Sequence, residues 1–135
     1  MDVKKIPTEE ELRDKLDKEQ YRVLRENGTE APFSGKYLNE KRQGTYTCVA
    51  CDNPLFPSTA KFDSSFSDLS GWPSFDKPLS GAIKYAKDLS YGIERTEVVC
   101  SQCNSHLGHV FEDKSAKTGK HYCLNSICLD LKETK

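Results

Sequence analysis

Two Cys-x-x-Cys pairs, Cys48-Val-Ala-Cys51 and Cys100-Ser-Gln-Cys103, with 48 residues between them, constrain this chain more than any other feature. Two residues between thiolates let a tight turn present both sulfurs to one ion, and a second such turn completes a tetrahedron. The pattern predicts one Zn2+ per chain, held by Cys48, Cys51, Cys100 and Cys103. With sulfur at all four positions no site is left open for water, so the metal is architectural. It pins the chain near residue 48 to the chain near residue 100 and closes a long loop. A pair of redox disulfides is the competing reading. It is disfavoured because neither pair opens a helix after a strand.

Composition explains why such a staple is useful. The 135 residues suit a single domain spanning 1–135. Only 36% are apolar and mean hydropathy is −0.71, so the core is small. Lys+Arg 20 against Asp+Glu 21 gives a net charge of −1, and four thiolates with one zinc add about −2 more. That balance argues against a nucleic-acid binder that works by neutralising phosphates. No apolar run approaches the ~18 residues of a membrane span. The opening Met-Asp-Val-Lys-Lys-Ile-Pro is charged and lacks the apolar stretch of a secretory signal. A cytoplasmic protein with reduced thiols is expected, in which cysteine pairs bind metal or react more often than they crosslink.

Residues 8–27 carry the clear helical signals. Thr8 with Glu11, and Asp17 with Gln20, each fit a capping box, and Asn27-Gly28 is a natural stop. Leu12 with Leu16, and Tyr21 with Leu24, give two short apolar stripes, hence two short helices or one bent one. From Pro32 onward, Gly and Pro recur between runs rich in β-branched and aromatic residues: 46–49, 82–85, 91–99 and 121–131. With turn signals at Pro54, Pro57, Pro73, Pro78 and Gly81, these read as strands of antiparallel sheets. The span 32–131 is then a zinc-stapled β core, and 132–135 a frayed tail.

Cys123 and Cys128 remain once the four ligands are set aside, and all three histidines, His106, His109 and His121, lie within 17 positions of Cys123. A histidine cluster beside a spare thiol suits a site that generates a thiolate and delivers protons. On a strand over 121–131, His121, Cys123 and Asn125 share one face, while Tyr122, Leu124, Ser126 and Cys128 share the other. Cys123 is therefore the candidate nucleophile and Cys128 a small buried hydrophobe. His106 and His109 would point oppositely on a regular strand, but Gly108 permits a bulge that brings them together. Surface histidines and a second metal site are the other readings of that pair. Trp72, between Gly71 and Pro73, is held on a loop, either plugging the core or walling a small apolar pocket.

Gly71-Trp-Pro-Ser-Phe75, His106-Leu-Gly-His-Val-Phe111 and Tyr122-Cys-Leu-Asn-Ser126, joined by the cysteine pairs, resemble the B-type methionine sulfoxide reductases. Glu19-Gln-Tyr-Arg-Val23, Gly28-Thr-Glu30 and Pro32-Phe-Ser-Gly35 resemble the same family's lead-in, so the likeness runs from about residue 8 to 131. It implies a mainly β, β-tent-like fold of two small antiparallel sheets with short N-terminal helices. It implies reduction of the R epimer of methionine sulfoxide in proteins and peptides, in a chemistry where one reductase serves each epimer. Cys123 would be the nucleophile, passing through a sulfenic acid. His106 and His109 would hydrogen-bond the sulfoxide oxygen and help protonate it, Asn125 would help arrange that network, and Trp72, Phe111 and His121 would lie at the substrate. Thioredoxin or a small thiol would be the reductant, and a monomer is expected. The rival class is a non-enzymatic zinc-stapled β module that binds a ligand or partner. It leaves the grouping of His106, His109, Cys123 and Asn125 unexplained.

Two positions depart from the family pattern. His121 stands where many members carry an arginine, which predicts activity that falls more steeply as pH rises. Ser70 stands where many carry a resolving cysteine, in a loop over 64–70 that looks long. On a continuous strand Cys123 and Cys128 lie about 16 Å apart, beyond the ~7 Å limit for a bridge, so no internal disulfide is expected.

Overall fold

The computed structural model describes residues 7–62, 71–89, 92, 94–114 and 116–134. Two helices, α1 (Glu9–Lys15) and α2 (Lys18–Arg25), open it. Both begin with a complete capping box. The Thr8 hydroxyl accepts from the Glu11 amide at 3.2 Å while the Glu11 carboxylate accepts from the Thr8 amide at 3.3 Å. Asp17 and Gln20 repeat this at 2.8 and 2.9 Å. Asn27 turns left-handed at φ 57, and the Gly28 amide reaches back to the Arg22 carbonyl at 3.0 Å. Leu12, Leu16, Val23 and Leu24 are buried.

The remainder forms two antiparallel sheets. The smaller has the order β2-β1-β9, from Gly44–Cys48 (β1), Pro54–Pro57 (β2) and Leu129–Glu133 (β9). The larger has the order β3-β4-β8-β7-β6-β5. Its strands are Lys61–Phe62 (β3), Ser74–Phe75 (β4), Ile83–Asp88 (β5), Arg95–Cys100 (β6), His106–Glu112 (β7) and Lys120–Leu124 (β8). Pro54 and Pro57, read from sequence as turn signals, instead bound a strand. β2 lies at a sheet edge, where a missing N–H costs no ladder bond. Aromatic rings join the sheets: Tyr46 and Phe56 approach Phe75 at 5.1 and 4.7 Å between centroids, and Phe56 approaches Tyr122 at 5.6 Å. Each pair contributes about 0.5–1.5 kcal/mol beyond the area it buries. Among the described residues no helix is long and apolar enough to cross a membrane.

The segment 121–131 is not one strand. After β8 the chain makes a 3-10 turn at Ser126–Cys128 and enters the other sheet as β9. Asn125 makes the switch. Its backbone and side-chain N–H groups both donate to the Leu107 carbonyl at 3.0 Å, its Oδ1 accepts from the Glu30 amide at 3.0 Å, and its carbonyl accepts from the Cys128 amide at 3.0 Å. These bonds replace the ladder that a continuing strand would need. The expected frayed tail is also corrected at Lys132 and Glu133, which pair with Thr45 and Gly44 in β9. Central strand β1 offers them a full set of partners, and the Thr134 amide adds a bond to the Gln43 carbonyl at 2.8 Å.

Candidate active site and metal centre

The two cysteine pairs occupy matching knuckles. The Cys48 amide donates to the Asn53 carbonyl at 2.9 Å and the Cys100 amide to the Ser105 carbonyl at 3.0 Å. The Asp52 and Asn104 amides close the turns onto the Cys48 and Cys100 carbonyls at 2.7 and 2.9 Å. Asp52 and Asn104 are left-handed, φ 64 and 62, which Asp and Asn tolerate better than most residues. The four Sγ atoms lie within 4.8 Å of one another, with Cys48–Cys103 at 3.8 Å and Cys51–Cys100 at 3.5 Å. Bonds of about 2.3 Å to a tetrahedral ion require sulfurs about 3.8 Å apart, so this set fits a tetrathiolate metal ion. The helices clasp the knuckles, Lys15 donating to the Ala50 carbonyl at 3.0 Å and Arg25 to the Cys103 carbonyl at 2.9 Å. Among the described residues no second metal-holding cluster forms, and His106 and His109 belong to none.

Those histidines are brought together by a bulge. Val98 pairs with Gly108 and Val99 with His106, leaving Leu107 as the extra residue of β7. The rings of His106 and His109 then stand 5.4 Å apart at 68°. Gly108 is required because a Cβ there would overlap the Cys123 carbonyl oxygen of β8. His109 is directly opposite Cys123 in the β7–β8 ladder, which places both side chains on one face.

Each imidazole is oriented by a carboxylate. His106 Nδ1 meets Glu97 Oε2 at 2.6 Å, and His109 Nε2 meets Asp88 Oδ2 at 2.7 Å. Arg95 donates to the same Asp88 oxygen at 3.0 Å. Donation to these carboxylates leaves His109 Nδ1 and His106 Nε2 for other work, and His106 Nε2 is buried with no hydrogen-bond partner among the described residues. A cavity of about 260 Å³ opens here, lined by Thr29, Trp72, Arg95, Gly108, His109, Phe111, Cys123 and Asn125. His106 is not among the residues of the cavity wall. A wider cavity of about 540 Å³, walled in part by Glu30, Lys36 and Asp130, has no cysteine or histidine among its lining residues.

Burial, helped by the negative charge of Glu30, pushes the Cys123 thiol up to about 12. Burial also holds His109 below the usual histidine range, against the opposing pull of Asp88. The resting site therefore holds a thiol and a neutral imidazole.

His121 does not line this cavity. It is fully buried, with Nδ1 at 3.0 Å from Asp113 and Nε2 at 2.7 Å from Ser74 Oγ, and its ring meets Phe62 at 4.9 Å. The steeper fall of activity with pH that its place in the sequence suggested thus loses its basis. Cys128 is buried with its thiol turned to the His106 carbonyl at 3.3 Å. The 16 Å span assumed a continuous strand and does not apply across the 3-10 turn. Ser70 and the 64–70 loop lie outside the described residues.

Sequence reasoning missed four residues of this site. Asp88, Arg95 and Glu97 belong to β5 and β6, and the period-2 spacing of Arg95 and Glu97 was the signal that could have placed them on one face. Glu30 gave no such signal. It is 6% exposed, its amide donates to Asn125, its carbonyl accepts the Trp72 indole N–H at 3.1 Å, and its Oε1 accepts the Ile127 amide at 2.9 Å.

Known proteins share this arrangement of sequence. The family model described as SelR domain matches residues 16–133. A peptide methionine sulfoxide reductase MsrB of Pseudomonas putida (strain W619) is 56% identical over 126 residues, covering 93% of this chain and 92% of that protein. MsrB of Pseudomonas savastanoi pv. phaseolicola is 54% identical over 125 residues, 92% of each chain. MsrB of Saccharophagus degradans is 51% identical over 126 residues, 93% of this chain and 91% of its own.

Proposed function

The chain belongs to the SelR family, and from that membership we infer that it is an oxidoreductase that reduces methionine sulfoxide in peptides and proteins to methionine. The observation that carries the assignment of roles is the single cavity joining Cys123, His109, Asn125 and Trp72. Cys123 is the nucleophile. Its proton passes to the imidazole pair, and the protonated ring donates to the sulfoxide oxygen, because a sulfoxide sulfur is a poor electrophile until its oxygen is protonated or strongly hydrogen-bonded. The thiolate attacks sulfur. Oxygen is transferred to cysteine, so Cys123–SH and the sulfoxide become Cys123–SOH and the thioether. Methionine sulfur gains the two electrons that Cys123 loses.

Asn125 supports this as a fixed amide at the cavity wall, and His106, its ring 5.4 Å from that of His109, supplies the second imidazole. Selectivity for the R epimer follows from three directions at sulfur: oxygen toward the imidazoles, methyl onto the Trp72 ring with Phe111 nearby, and the chain out to solvent. The opposite epimer sets oxygen against indole, leaving it unpaired in an apolar niche. A thiol reductant, thioredoxin or a small dithiol, then removes the sulfenic oxygen as water. The tetrathiolate site holds Zn2+ and is structural, since four sulfurs fill its coordination.

The test is turnover of each epimer of a methionine sulfoxide peptide, first with dithiothreitol and then with thioredoxin, for the intact protein and for Cys123→Ser. Activity on the R epimer alone, abolished in the variant, is expected. Turnover that survives Cys123→Ser ends the nucleophile assignment.

A further inference from the structure

The catalytic cavity, at about 260 Å³, has room for little more than one methionine side chain. The polypeptide carrying the sulfoxide therefore lies across its rim, and the rim has one conspicuous feature. Thr29 is on the cavity wall, the Glu30 carbonyl takes the Trp72 indole N–H at 3.1 Å, and the Phe33 amide donates to the Gly71 carbonyl at 2.7 Å. Residues 29–33 thus run as a strap along the segment that presents the indole, ending with Phe33 beside Gly71. There the Phe33 side chain is 69% exposed, the most exposed of the large apolar side chains among the described residues.

Phe33 is also left-handed, φ 65, a conformation disfavoured for an aromatic residue. Gly71, at φ 104, lies so near Pro32 and the Phe33 ring that a Cβ there would crowd both, and the Phe33 backbone is tied to it by the 2.7 Å hydrogen bond. A single exposed phenylalanine needs no explanation. One held in a disfavoured backbone conformation, hydrogen-bonded to the residue before the cavity's indole, does.

We propose that Phe33 is a docking platform for an apolar residue flanking the oxidised methionine, making the enzyme prefer sulfoxides in apolar sequence contexts. The occupant is the substrate's own chain, because the strap that ends in Phe33 begins on the cavity wall at Thr29 and is hydrogen-bonded to the Gly71–Trp72 segment that presents the indole. The inference rests on the reductase reading above and adds a subsite to it.

The experiment compares three R-sulfoxide substrates: a blocked methionine sulfoxide without flanking side chains, a peptide with Leu beside the sulfoxide, and the same peptide with Ser there. The intact enzyme is expected to show a KM for the Leu peptide five- to ten-fold below that for the Ser peptide, the effect of burying about half an apolar side chain. Phe33→Asn keeps a residue that tolerates the left-handed backbone and removes the ring. It should erase that preference while kcat on the blocked amino acid stays the same, and Phe33→Tyr should restore it. Equal KM values for the two peptides with the intact enzyme overturn the proposal without need of any variant. So does a preference that persists in Phe33→Asn. Failure of the intact enzyme to reduce all three substrates overturns the reductase reading instead.

Discussion

Asp88 and His109 reach each other across β6, the carboxylate of one strand and the imidazole of another meeting at 2.7 Å. The same Asp88 oxygen takes a 3.0 Å bond from Arg95, its ladder partner, so the anion that orients His109 is itself clamped. Also facing that imidazole are Glu97, its partner on β6, His106 across the bulge, and Cys123 on β8. With Cys123 up near 12 and His109 below its usual range, the reactive thiolate–imidazolium form carries the same proton count as the resting thiol–imidazole form. Its population is then independent of pH between the two values, and kcat/KM should plateau there, falling on the acid side as His109 protonates and on the alkaline side only far above neutrality.

Asp88→Asn tests this network. Without the anion His109 binds its proton less well, so the acid limb of kcat/KM should shift to lower pH by about one unit, with a plateau about ten-fold lower. Asp88→Glu should recover part of both. A uniformly lower plateau with an unmoved acid limb would assign Asp88 a purely structural part.

Much of this site could be read from the chain, and the reasons for the rest are physical. The capping boxes at Thr8 and Asp17 and the paired knuckles are local, each specified by residues a few positions apart. The convergence of His106 and His109 was foreseeable from Gly108, a glycine between them that marks an irregular strand, next to the bulged Leu107 and where β8 leaves no room for a Cβ. The end of the strand at Leu124 was not, because the groups that turn the chain at Asn125 come from Leu107 and Glu30, far away in sequence. His121 was misplaced for a related reason. It does share a face with Cys123 on β8, but Asp113, Ser74 and Phe62 cover it, and strand alternation says nothing about what covers a face.

Glu30→Gln should act on both stability and the thiol. Burial raises the Glu30 carboxyl above its ordinary value, so the group favours the folded state below about pH 4.5 and that contribution is lost as pH rises through the raised value. The variant keeps an acceptor for the Ile127 amide and carries no charge. Its unfolding free energy should therefore vary less between pH 4 and 8 than that of the natural protein. Glu30 also holds the Cys123 thiol up, so the alkaline rise in Cys123 alkylation by iodoacetamide should move to lower pH in the variant. An unchanged alkylation profile would show that Glu30 does not act on the thiol.

Gly108→Ala isolates the close approach of β7 and β8. The backbone there is not left-handed, so strain plays no part, and the added methyl meets the Cys123 backbone rather than a movable side chain. Overpacking against backbone costs about 1–3 kcal/mol, which denaturant unfolding should show. The displaced strand carries the nucleophile, so the kcat/KM plateau should fall by at least as large a factor as it does in Asp88→Asn. Gly119→Ala is the control for strain, at φ 82 with nothing near its Cβ. It should cost about 1 kcal/mol and leave kcat intact.

Removal of the metal should unfold the β core rather than stop the chemistry directly. The knuckles join the β1–β2 turn to the β6–β7 turn, and thus the small sheet to the large one. The apolar core between them is limited, and structural zinc contributes on the order of 10 kcal/mol to small domains. Cys103→Ser leaves three sulfurs and a weak ligand. Metal analysis should then find less than one ion per chain, with a Tm lower by at least 10 °C on the scale of a few kcal/mol in a domain of this size. Because Arg25 bonds to the Cys103 carbonyl and Lys15 to the Ala50 carbonyl, the helices should loosen with the knuckles, and circular dichroism should report helix loss in the same transition. A variant that keeps its Tm and helix signal without metal would show that the sheets hold together unaided.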